Sequence, residues 1–273
     1  MTQNQTFKAV KTSGGGRGLE ARGLTKRYSS VAVVRNVDVV VRPGDVIGYL
    51  GPNGSGKTTT VRMLTGLTEP SDGTVLHDGR DIYGDLVAFR RRLGYVPEEA
   101  HLYPFLSGRE FLELVGRLRE LPESLLEKKI VSLLELFGIL SAADQPMSGY
   151  SKGMKQKVLI SAALLHDPDL LILDEPESGL DVTAVLVLRS LITELARRGK
   201  AILYSSHIME SVERVCSRVM VLHRGAVVAD DSTLNLRTLM SRDSLEDVFA
   251  ELVVQDNPAR TASDIADVAA MRA

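Results

Sequence analysis

The sequence is poor in cysteine, in aromatic residues and in long apolar runs. Its 273 residues include one cysteine and no tryptophan, and 5% of them are aromatic. A single cysteine excludes an internal disulfide and is typical of a protein kept in a reducing cytosol. Cys216 lies in the segment 212–217 (VERVCS), and we expect it to be buried in a helix without a reactive role.

Two further absences concern membranes and nucleic acids. The chain has no run of about 18 apolar residues and no charged-then-apolar leader, so we expect no membrane span and no secretion. If the protein works at a membrane, another chain must supply the segment within the bilayer. The formal net charge of −2 gives no general attraction to nucleic acid, and we expect no such partner.

The remaining composition is that of an ordinary globular protein. Hydrophobic residues make up 44% of the chain and charged residues 25%, which are typical values. A chain of this length can bury one core, or one core with a smaller lobe. Residues 1–18 are polar and end in GGGRG, which lacks the spacing of a dinucleotide fingerprint, so we expect a flexible tail.

Residues 51–59 (GPNGSGKTT) fit the pattern G-x-x-x-x-G-K-[ST] of a phosphate-binding loop. The glycines let backbone N–H groups point at a phosphate, and the positive end of the following helix adds to the attraction. Lys57 can reach the β- and γ-phosphates, and the hydroxyl of Thr58 can bind Mg²⁺. The alternative is a glycine-rich turn, but the apolar run 46–50 before it and the helical pattern after it favour a nucleoside triphosphate site.

Two carboxylates, Asp174 and Glu175, follow the apolar run 170–173, which suits a central parallel strand. Open α/β sheets bind ligands at the C-terminal ends of such strands. The carboxylate of Asp174 is suited to hold Mg²⁺, and Glu175 is then placed to polarise the water that attacks the γ-phosphorus. The alternative is a charged turn that only ends the strand.

Two further polar segments have both a functional and a simpler interpretation. His207 ends the strand and turn 201–206, where an imidazole could bond the γ-phosphate and orient the water; alternatively, Ser206 and His207 cap the next helix. Residues 150–157 (YSKGMKQK) place a serine and a glycine at a helix start, which makes a second anion site. Their simpler interpretation is a turn followed by a basic helix.

The pattern around these motifs predicts two smaller lobes. Short strand-like runs within 19–46 and a strand over 73–79 predict an antiparallel sheet beside the nucleotide core. A capping box from Ser107 to Glu110 opens one helix, and leucines at helical spacing predict another over 123–137. The sequence therefore predicts a helical insertion of about fifty residues between the two halves of the core.

These motifs, in this order, resemble those of ABC-transporter ATPase subunits from about Leu19 to Ser232. The resemblance is carried by the phosphate loop, YVPE (95–98), SKG (151–153), LDEP (173–176), SGLD (178–181) and Ser206-His207. It implies an α/β fold with a P-loop NTPase (RecA-like) core, an antiparallel β lobe and a helical lobe. The implied bounds are 19–242 for the cassette, about 98–158 for the helical lobe and 243–273 for a C-terminal extension. Two cassettes, here a homodimer, would pair head-to-tail around two ATP molecules.

The resemblance also implies roles for single residues. Tyr28 matches the aromatic residue that stacks on adenine, with a strand-end tyrosine as the alternative. Ser151 and Gly153 match the signature that completes the partner cassette's site. Asp181 matches the aspartate that reaches across the interface, although it also suits a helix N-cap. Glu98 occupies the position where most of the family has a glutamine that links the γ-phosphate and Mg²⁺ to the membrane partner.

The resemblance implies a complete set of catalytic, metal-binding and nucleotide-binding residues. The catalytic pair is Glu175 and His207, and the implied ligands of Mg²⁺ are Thr58, Glu98 and Asp174. The implied nucleotide-binding set is Tyr28, Gly51, Asn53, Gly54, Ser55, Gly56, Lys57, Thr58, Thr59, Glu98, Ser151, Gly153 and Asp181.

Three positions depart from the family pattern. Glu98 puts a carboxylate where an amide is usual, which adds repulsion near phosphate although a carboxylate can still bind Mg²⁺ or water. The signature begins Tyr150-Ser-Lys152 instead of Leu-Ser-Gly, and Glu177 stands where threonine is common. The sequence offers no account of Glu177. Because the loop lysine, both carboxylates and the histidine are present, we expect an active ATPase.

Finer features resemble the antibiotic, drug and sodium export branch of the family. These are GYVPEE (94–99) followed by LYP (102–104), and SLEDVF (244–249), which also suits an amphipathic helix packed on the cassette. The resemblance implies ATP and Mg²⁺ as cofactors, a separate integral membrane permease as partner, and a peripheral place at the cytoplasmic face of the cell membrane. An importer remains an alternative, as does a soluble ATPase acting on DNA or ribosomes, although the chain has no heptad arm and no basic tract. The resemblance implies that the substrate site lies in the permease.

Overall fold

The computed structural model describes residues 17–99, 102–239, 244–253, 265 and 267–269. Most of the predicted N-terminal tail and much of the predicted C-terminal extension lie outside these residues, so the predicted domain bounds stay predictions. Within the described residues, no helix combines the length and the apolar character that crossing a bilayer requires.

The strands are β1 (Leu19–Tyr28), β2 (Val31–Val41), β3 (Val46–Leu50), β4 (Asp72–His77), β5 (Arg80–Asp81), β6 (Leu93–Val96), β7 (Leu170–Asp174), β8 (Ala201–Ser205), β9 (Arg218–His223) and β10 (Ala226–Ser232). The helices are α1 (Lys57–Leu64), α2 (Leu86–Arg92), α3 (Gly108–Leu118), α4 (Glu123–Leu136), α5 (Lys152–Leu164), α6 (Val182–Arg197), α7 (Met209–Val215), α8 (Thr233–Leu239) and α9 (Leu245–Val253).

The larger sheet has six strands in the order β10-β9-β3-β8-β7-β6, and only β10 runs antiparallel to its neighbour. Every residue of β3, β7 and β8 is buried. Successive residues of a strand point to opposite faces, so a strand buried on both faces reads as a continuous apolar run. Ile172 accordingly belongs to the core on one face, and Leu171 and Leu173 to the core on the other.

The smaller sheet is antiparallel, with the strand order β2-β1-β4-β5. Its inner side chains, such as Leu24 and Val39, belong to the same core as Ile47 of the larger sheet. The sequence predicted short runs here, but the structure has one long hairpin of β1 and β2. The reason lies in the turn, where Ser29 takes a left-handed φ of 54° in place of the glycine that usually marks such a turn.

The helices α3, α4 and α5 form a third core, around residues such as Leu112, Ile130 and Val158. The predicted capping box is confirmed: Glu110 N donates to Ser107 Oγ at 3.1 Å, and Ser107 N donates to Glu110 Oε2 at 2.8 Å. Together with the two sheets, this helical group confirms the predicted fold class.

The prediction for Cys216 was right on burial and wrong on its helix. The thiol is buried, and burial raises its pKa. The residue itself is extended (φ −95°, ψ 132°) and follows the last residue of α7. A buried thiol with a raised pKa carries little reactive thiolate at neutral pH.

Replacing Leu203 by alanine tests the assignment of the central strand. Leu203 is fully buried in β8, so Leu203→Ala should lower the free energy of unfolding by about 2–5 kcal/mol. Leu136→Ala, at a position 79% exposed near the end of α4, is the matched control and should change stability by less than about 0.5 kcal/mol. Urea unfolding followed by far-UV circular dichroism measures both. Equal losses would contradict the assignment.

Candidate functional site

One edge of the larger sheet collects the polar groups that the sequence singled out. The C-terminal ends of β3, β7 and β8 meet there and border an open pocket of about 560 Å³. The pocket is lined by Val33, Pro52, Asn53, Gly54, Gly56, Lys57, Thr58, Thr59, Glu98, Asp174, Glu175 and His207. Such an edge is where open α/β sheets bind ligands.

The phosphate loop connects β3 to α1 and needs glycine at its last turn. Gly56 is the N-cap of α1 and has a left-handed φ of 104°. A Cβ atom there would lie 2.7 Å from the carbonyl oxygen of Val33, so both conformation and space require glycine. The turn between β9 and β10 supports the loop from behind, since Gly225 N donates to Ser55 O at 2.8 Å.

Lys57 lies folded across the loop. Its Nζ donates to the carbonyl oxygens of Gly51 at 2.6 Å and Pro52 at 3.3 Å. A phosphate oxygen is a stronger partner for an ammonium group than a carbonyl is, because both partners are then charged. The lysine is therefore placed inside the pocket with bonds that a triphosphate can replace.

Asp174 is buried at the end of β7, and its Oδ2 has no hydrogen-bond partner in the described residues. Burial raises its pKa to about 6, and the charges of Glu98 and Glu175 act in the same direction. An unpaired buried carboxylate oxygen fits a divalent cation. Thr58 and Glu98 line the same pocket, so the residues predicted to hold Mg²⁺ are brought together.

The described residues contain no cluster of three or more histidine, cysteine, aspartate or glutamate side chains that could hold a metal ion. Mg²⁺ usually binds through one or two protein carboxylates together with substrate phosphates and water, and the pocket offers the buried carboxylate of Asp174 beside Thr58 and Glu98. The donor set therefore fits Mg²⁺ carried with a nucleotide and does not form an all-protein cage.

Glu175 is paired with His207. Glu175 Oε2 lies 2.7 Å from His207 Nδ1, and Glu175 N donates to Ser205 O at 3.0 Å. The residue has a φ of +49°, a conformation that costs free energy and persists where the surroundings impose it. Burial raises the pKa of Glu175, and His207 opposes that shift.

His207 does not cap the helix that follows it. α7 has Ile208 at its N-cap position, without a side-chain bond, and Ser206 Oγ accepts from Ile208 N at 3.1 Å. The simpler interpretation of His207 from the sequence therefore fails: its ring faces Glu175, and the serine before it bonds the backbone.

Six predicted site residues do not line this pocket, and three of them, Ser151, Gly153 and Asp181, lie at or near the starts of α5 and α6. Ser151 caps α5 by accepting from Met154 N at 3.2 Å, and Asp181 caps α6 by accepting from Ala184 N at 2.9 Å. A Cβ on Gly153 would lie 2.5 Å from the carbonyl oxygen of Gly179, so the start of α5 packs closely on the segment before α6. The N-cap interpretation of Asp181 is confirmed, and its role across an interface stays a prediction.

Five other residues differ from the prediction: three predicted residues do not line the pocket, and two residues that line it were not predicted. Tyr28 is half exposed at the end of β1, with Lys26 Nζ 5.6 Å from its ring centroid, and does not line the pocket. Gly51 and Ser55 belong to the loop but do not line the pocket either. The sequence reasoning missed Val33 and Pro52. Val33 reaches the pocket only because the smaller sheet folds over the loop, and no local signal marks that.

Comparison with known proteins places this geometry in a family. The sequence model of the family described as ABC transporter matches residues 34–178. The chain is 38% identical over 236 residues to the ABC transporter ATP-binding protein NatA of Bacillus subtilis (strain 168), covering 86% of this chain and 96% of the relative. It is 40% identical over 212 residues to the Nod factor export ATP-binding protein I of Cupriavidus metallidurans, covering 78% and 70% respectively.

Solved structures of ATP-binding subunits and cassettes are similar to this chain in fold. A structure described as an ATP binding subunit of an ABC transporter has a TM-score of 0.81 at 35% identity, covering 86% of this chain and 98% of the other. A dimeric ATP-binding cassette in a post-hydrolysis state, bound to ADP and Pi, has a TM-score of 0.71 at 23% identity, covering 78% and 98%, and shows the same fold.

The pocket and these relatives together define a nucleotide-binding P-loop protein. More particularly, the chain belongs to the ABC transporter family, as an ATP-binding subunit of the ABC ATPase class. The resemblance, the fold class and the enzyme class expected from the sequence are confirmed.

The raised pKa of Asp174 predicts how the free energy of unfolding of the nucleotide-free protein depends on pH. An acid whose pKa rises from 3.8 to about 6 on folding destabilises the fold above pH 6, and the effect vanishes below about pH 4. Asp174→Asn should therefore raise the free energy of unfolding at pH 8 by about 1–3 kcal/mol, with a smaller gain at pH 5.

Asp144→Asn is the control, because Asp144 is exposed and holds only a surface ion pair with Arg109. Urea unfolding in EDTA at both pH values measures the two variants. A loss of stability in Asp174→Asn at pH 8 would contradict the burial argument.

Proposed function

We propose that this chain binds and hydrolyses ATP with Mg²⁺ to power export through a separate membrane permease. The observation that carries the proposal is one pocket that brings together Lys57, Asp174, Glu175 and His207 from three strand ends. A lysine, two carboxylates and a histidine around a phosphate loop suit phosphoryl transfer to water. The protein would then lie at the cytoplasmic face of the cell membrane, held there by its permease.

Binding depends on the loop and on α1. The N–H groups of the loop and the start of α1 receive the phosphates, and Lys57 exchanges its two carbonyl partners for phosphate oxygens. Thr58, Glu98 and Asp174 would hold Mg²⁺, which when bound neutralises phosphate charge and orients the γ-phosphate. Tyr28 would stack on the adenine from the smaller sheet.

Hydrolysis depends on the pair formed by Glu175 and His207. Glu175 accepts the proton of the attacking water, and its raised pKa brings it closer to the working pH of a general base. His207, 2.7 Å away, holds the carboxylate and can reach the γ-phosphate with its other ring nitrogen. A general base contributes about 10²–10⁴ in rate.

A second copy of the chain would complete each site. Ser151 and Asp181 are exposed and do not line the pocket of their own chain. In a head-to-tail pair, the start of α5 can present Ser151 and Gly153 to the γ-phosphate bound by the partner. Closure of the pair then assembles each catalytic site only around ATP, and hydrolysis of the ATP lets the pair reopen.

The segment that follows Glu98 offers a surface for the permease. Phe105 is 90% exposed and Tyr103 59% exposed, just before α3. Exposed aromatic side chains are enriched where proteins bind one another. Because Glu98 lines the nucleotide pocket and these side chains follow it closely, this segment can carry motion from the pocket to a permease.

Export is favoured over import by the names of relatives. The Nod factor relative is named as an export protein, and this chain matches 70% of its length. The runner-up is the ATPase subunit of an importer, for which the same cassette would serve. Transport assays in inside-out vesicles decide the direction, because ATP added outside drives uptake only for an exporter.

Replacing Glu175 by glutamine tests the proposed mechanism. Glu175→Gln keeps the shape of the side chain and loses the base, so turnover should fall by at least about 10²-fold. The variant should become a dimer in Mg-ATP on size-exclusion chromatography, because closure occurs without hydrolysis. Lys57→Ala is the contrasting variant and should lose ATP binding and the dimer as well. Hydrolysis by Glu175→Gln at the wild-type rate would show that the base is misassigned.

Replacing Phe105 by alanine tests the proposed permease surface. Phe105→Ala should leave the ATPase rate of the isolated chain within about twofold of wild type, because Phe105 touches no part of the pocket. Copurification with the co-expressed permease should fall by about tenfold, as expected for an exposed aromatic anchor. Leu136→Ala removes a similarly exposed side chain elsewhere on the helical group and should copurify normally. Equal copurification of both variants would exclude this surface.

A further inference from the structure

A buried carboxylate, Glu177, lies two residues beyond Glu175. Its side chain is 3% exposed and does not line the pocket. Oε1 accepts from the Tyr204 hydroxyl at 2.9 Å and from Arg189 Nε at 3.1 Å, and Oε2 accepts from Ser211 Oγ at 2.6 Å. Both oxygens are therefore bonded, as a buried carboxylate requires.

These partners belong to three different elements. Tyr204 lies in β8, Arg189 in α6 and Ser211 in α7. Arg189 Nη2 also donates to Ser211 Oγ at 2.5 Å, which closes a ring of hydrogen bonds. We name Glu177, Arg189, Tyr204 and Ser211 the Glu177 network.

The Glu177 network runs beside the contact of the catalytic pair. Glu175 Oε2 lies 2.7 Å from His207 Nδ1, and Ser211 Oγ donates to Glu177 Oε2 at 2.6 Å. Both contacts join the same two segments, residues 175–177 and residues 207–211. With a single contact, one segment can still rotate about that contact relative to the other. Two contacts fix both the distance between the segments and their relative orientation.

His207 needs such a fixed segment. Its side chain is 74% exposed, so packing does little to hold the ring. Its position therefore depends on where the start of α7 is held. Glu175 has the left-handed φ of 49°, which the surrounding contacts must also maintain.

Stability alone does not account for the network. Well-packed apolar side chains often stabilise a fold as well as a buried ion pair does, so such a pair is weak evidence for a role in stability. Charged hydrogen bonds do fix geometry more strictly than apolar contacts, because they are directional.

We propose that Glu177 is a positioning residue: through Ser211 it fixes the start of α7 on residues 175–177, and so holds the His207 ring on Glu175. The inference rests on the hydrolysis proposed above for that pair. It also accounts for a glutamate at a position where the family commonly has threonine, because threonine is too short to reach these three partners from the same backbone.

Ser211→Ala is the sharpest test, since it removes the direct bond of Glu177 to α7 and keeps the bonds of Glu177 to Arg189 and Tyr204. The contact of Arg189 Nη1 with Glu210 Oε1, at 4.0 Å, still joins the network to α7. Ser161→Ala is the matched control: Ser161 is also fully buried in a helix, but its hydroxyl bonds only Lys157 O of the same helix. Ser211→Cys is a second, nearly isosteric variant that folds if the alanine variant does not, because a thiol is a weak hydrogen-bonding group.

The first readout is the ring signal of His207 in proton–carbon NMR spectra of the nucleotide-free, full-length chain. The chain has five histidines, and His207→Ala assigns the signal. Ser211→Ala should shift and broaden it, while Ser161→Ala should leave it at the wild-type position. An unchanged His207 signal in both Ser211 variants would overturn the proposal, whether or not the chain hydrolyses ATP.

The second readout is steady-state ATP hydrolysis. Ser211→Ala should lower kcat by about tenfold with KM for ATP within about twofold, because misplacing a reacting group by about 1 Å can cost about 10²-fold while the phosphate contacts of Lys57 stay intact. Glu177→Ala should act at least as strongly, and Glu177→Gln, which keeps an acceptor at the same reach, should recover much of the rate.

Wild-type kcat in the Ser211 variants would overturn the proposal. An inactive wild type would overturn the proposed function, and the NMR result would still decide the role of Glu177.

Discussion

The burial of the parallel strands on both faces is the constraint on which the rest of this structure depends. β3, β7 and β8 carry apolar side chains to two separate cores, so polar groups can leave the sheet only at the strand ends. Because neighbouring strands run parallel, their C-terminal ends meet at one edge. That edge receives Lys57, Asp174 and His207, which are far apart in the sequence. The chemistry of the pocket therefore follows from strand direction and strand order.

The features that could be predicted from the sequence have local causes. The phosphate loop was visible because its glycines and lysine follow one another within nine residues, between a strand and a helix. The capping box of α3 was visible because Ser107 and Glu110 satisfy each other's backbone within one turn. The long hairpin of β1 and β2 was not recognised, because a serine takes the left-handed turn position where glycine is expected.

The features that could not be predicted depend on distant partners. Val33 lines the pocket only because the smaller sheet folds over the phosphate loop. The sequence offered no account of Glu177, whose partners lie 12, 27 and 34 residues further along the chain. Its burial is set by how α6 and α7 pack against β8, and a single sequence does not reveal that packing. Ser151 and Asp181 lie away from the pocket of their own chain, so the roles proposed for them depend on a second copy of the chain.

The charges of the pocket determine the form in which a nucleotide can bind. Three carboxylates, Glu98, Asp174 and Glu175, line it together with one lysine. Free ATP adds further negative charge and meets repulsion from all three, and that repulsion is strong where burial lowers the local dielectric constant. The raised pKa of Asp174 already reflects its burial and the two neighbouring carboxylates. An ATP that arrives with a divalent cation is less negative and supplies the partner that Asp174 lacks. On the proposed function, the same buried oxygen that should destabilise the nucleotide-free fold would favour the metal complex of the nucleotide over the free nucleotide.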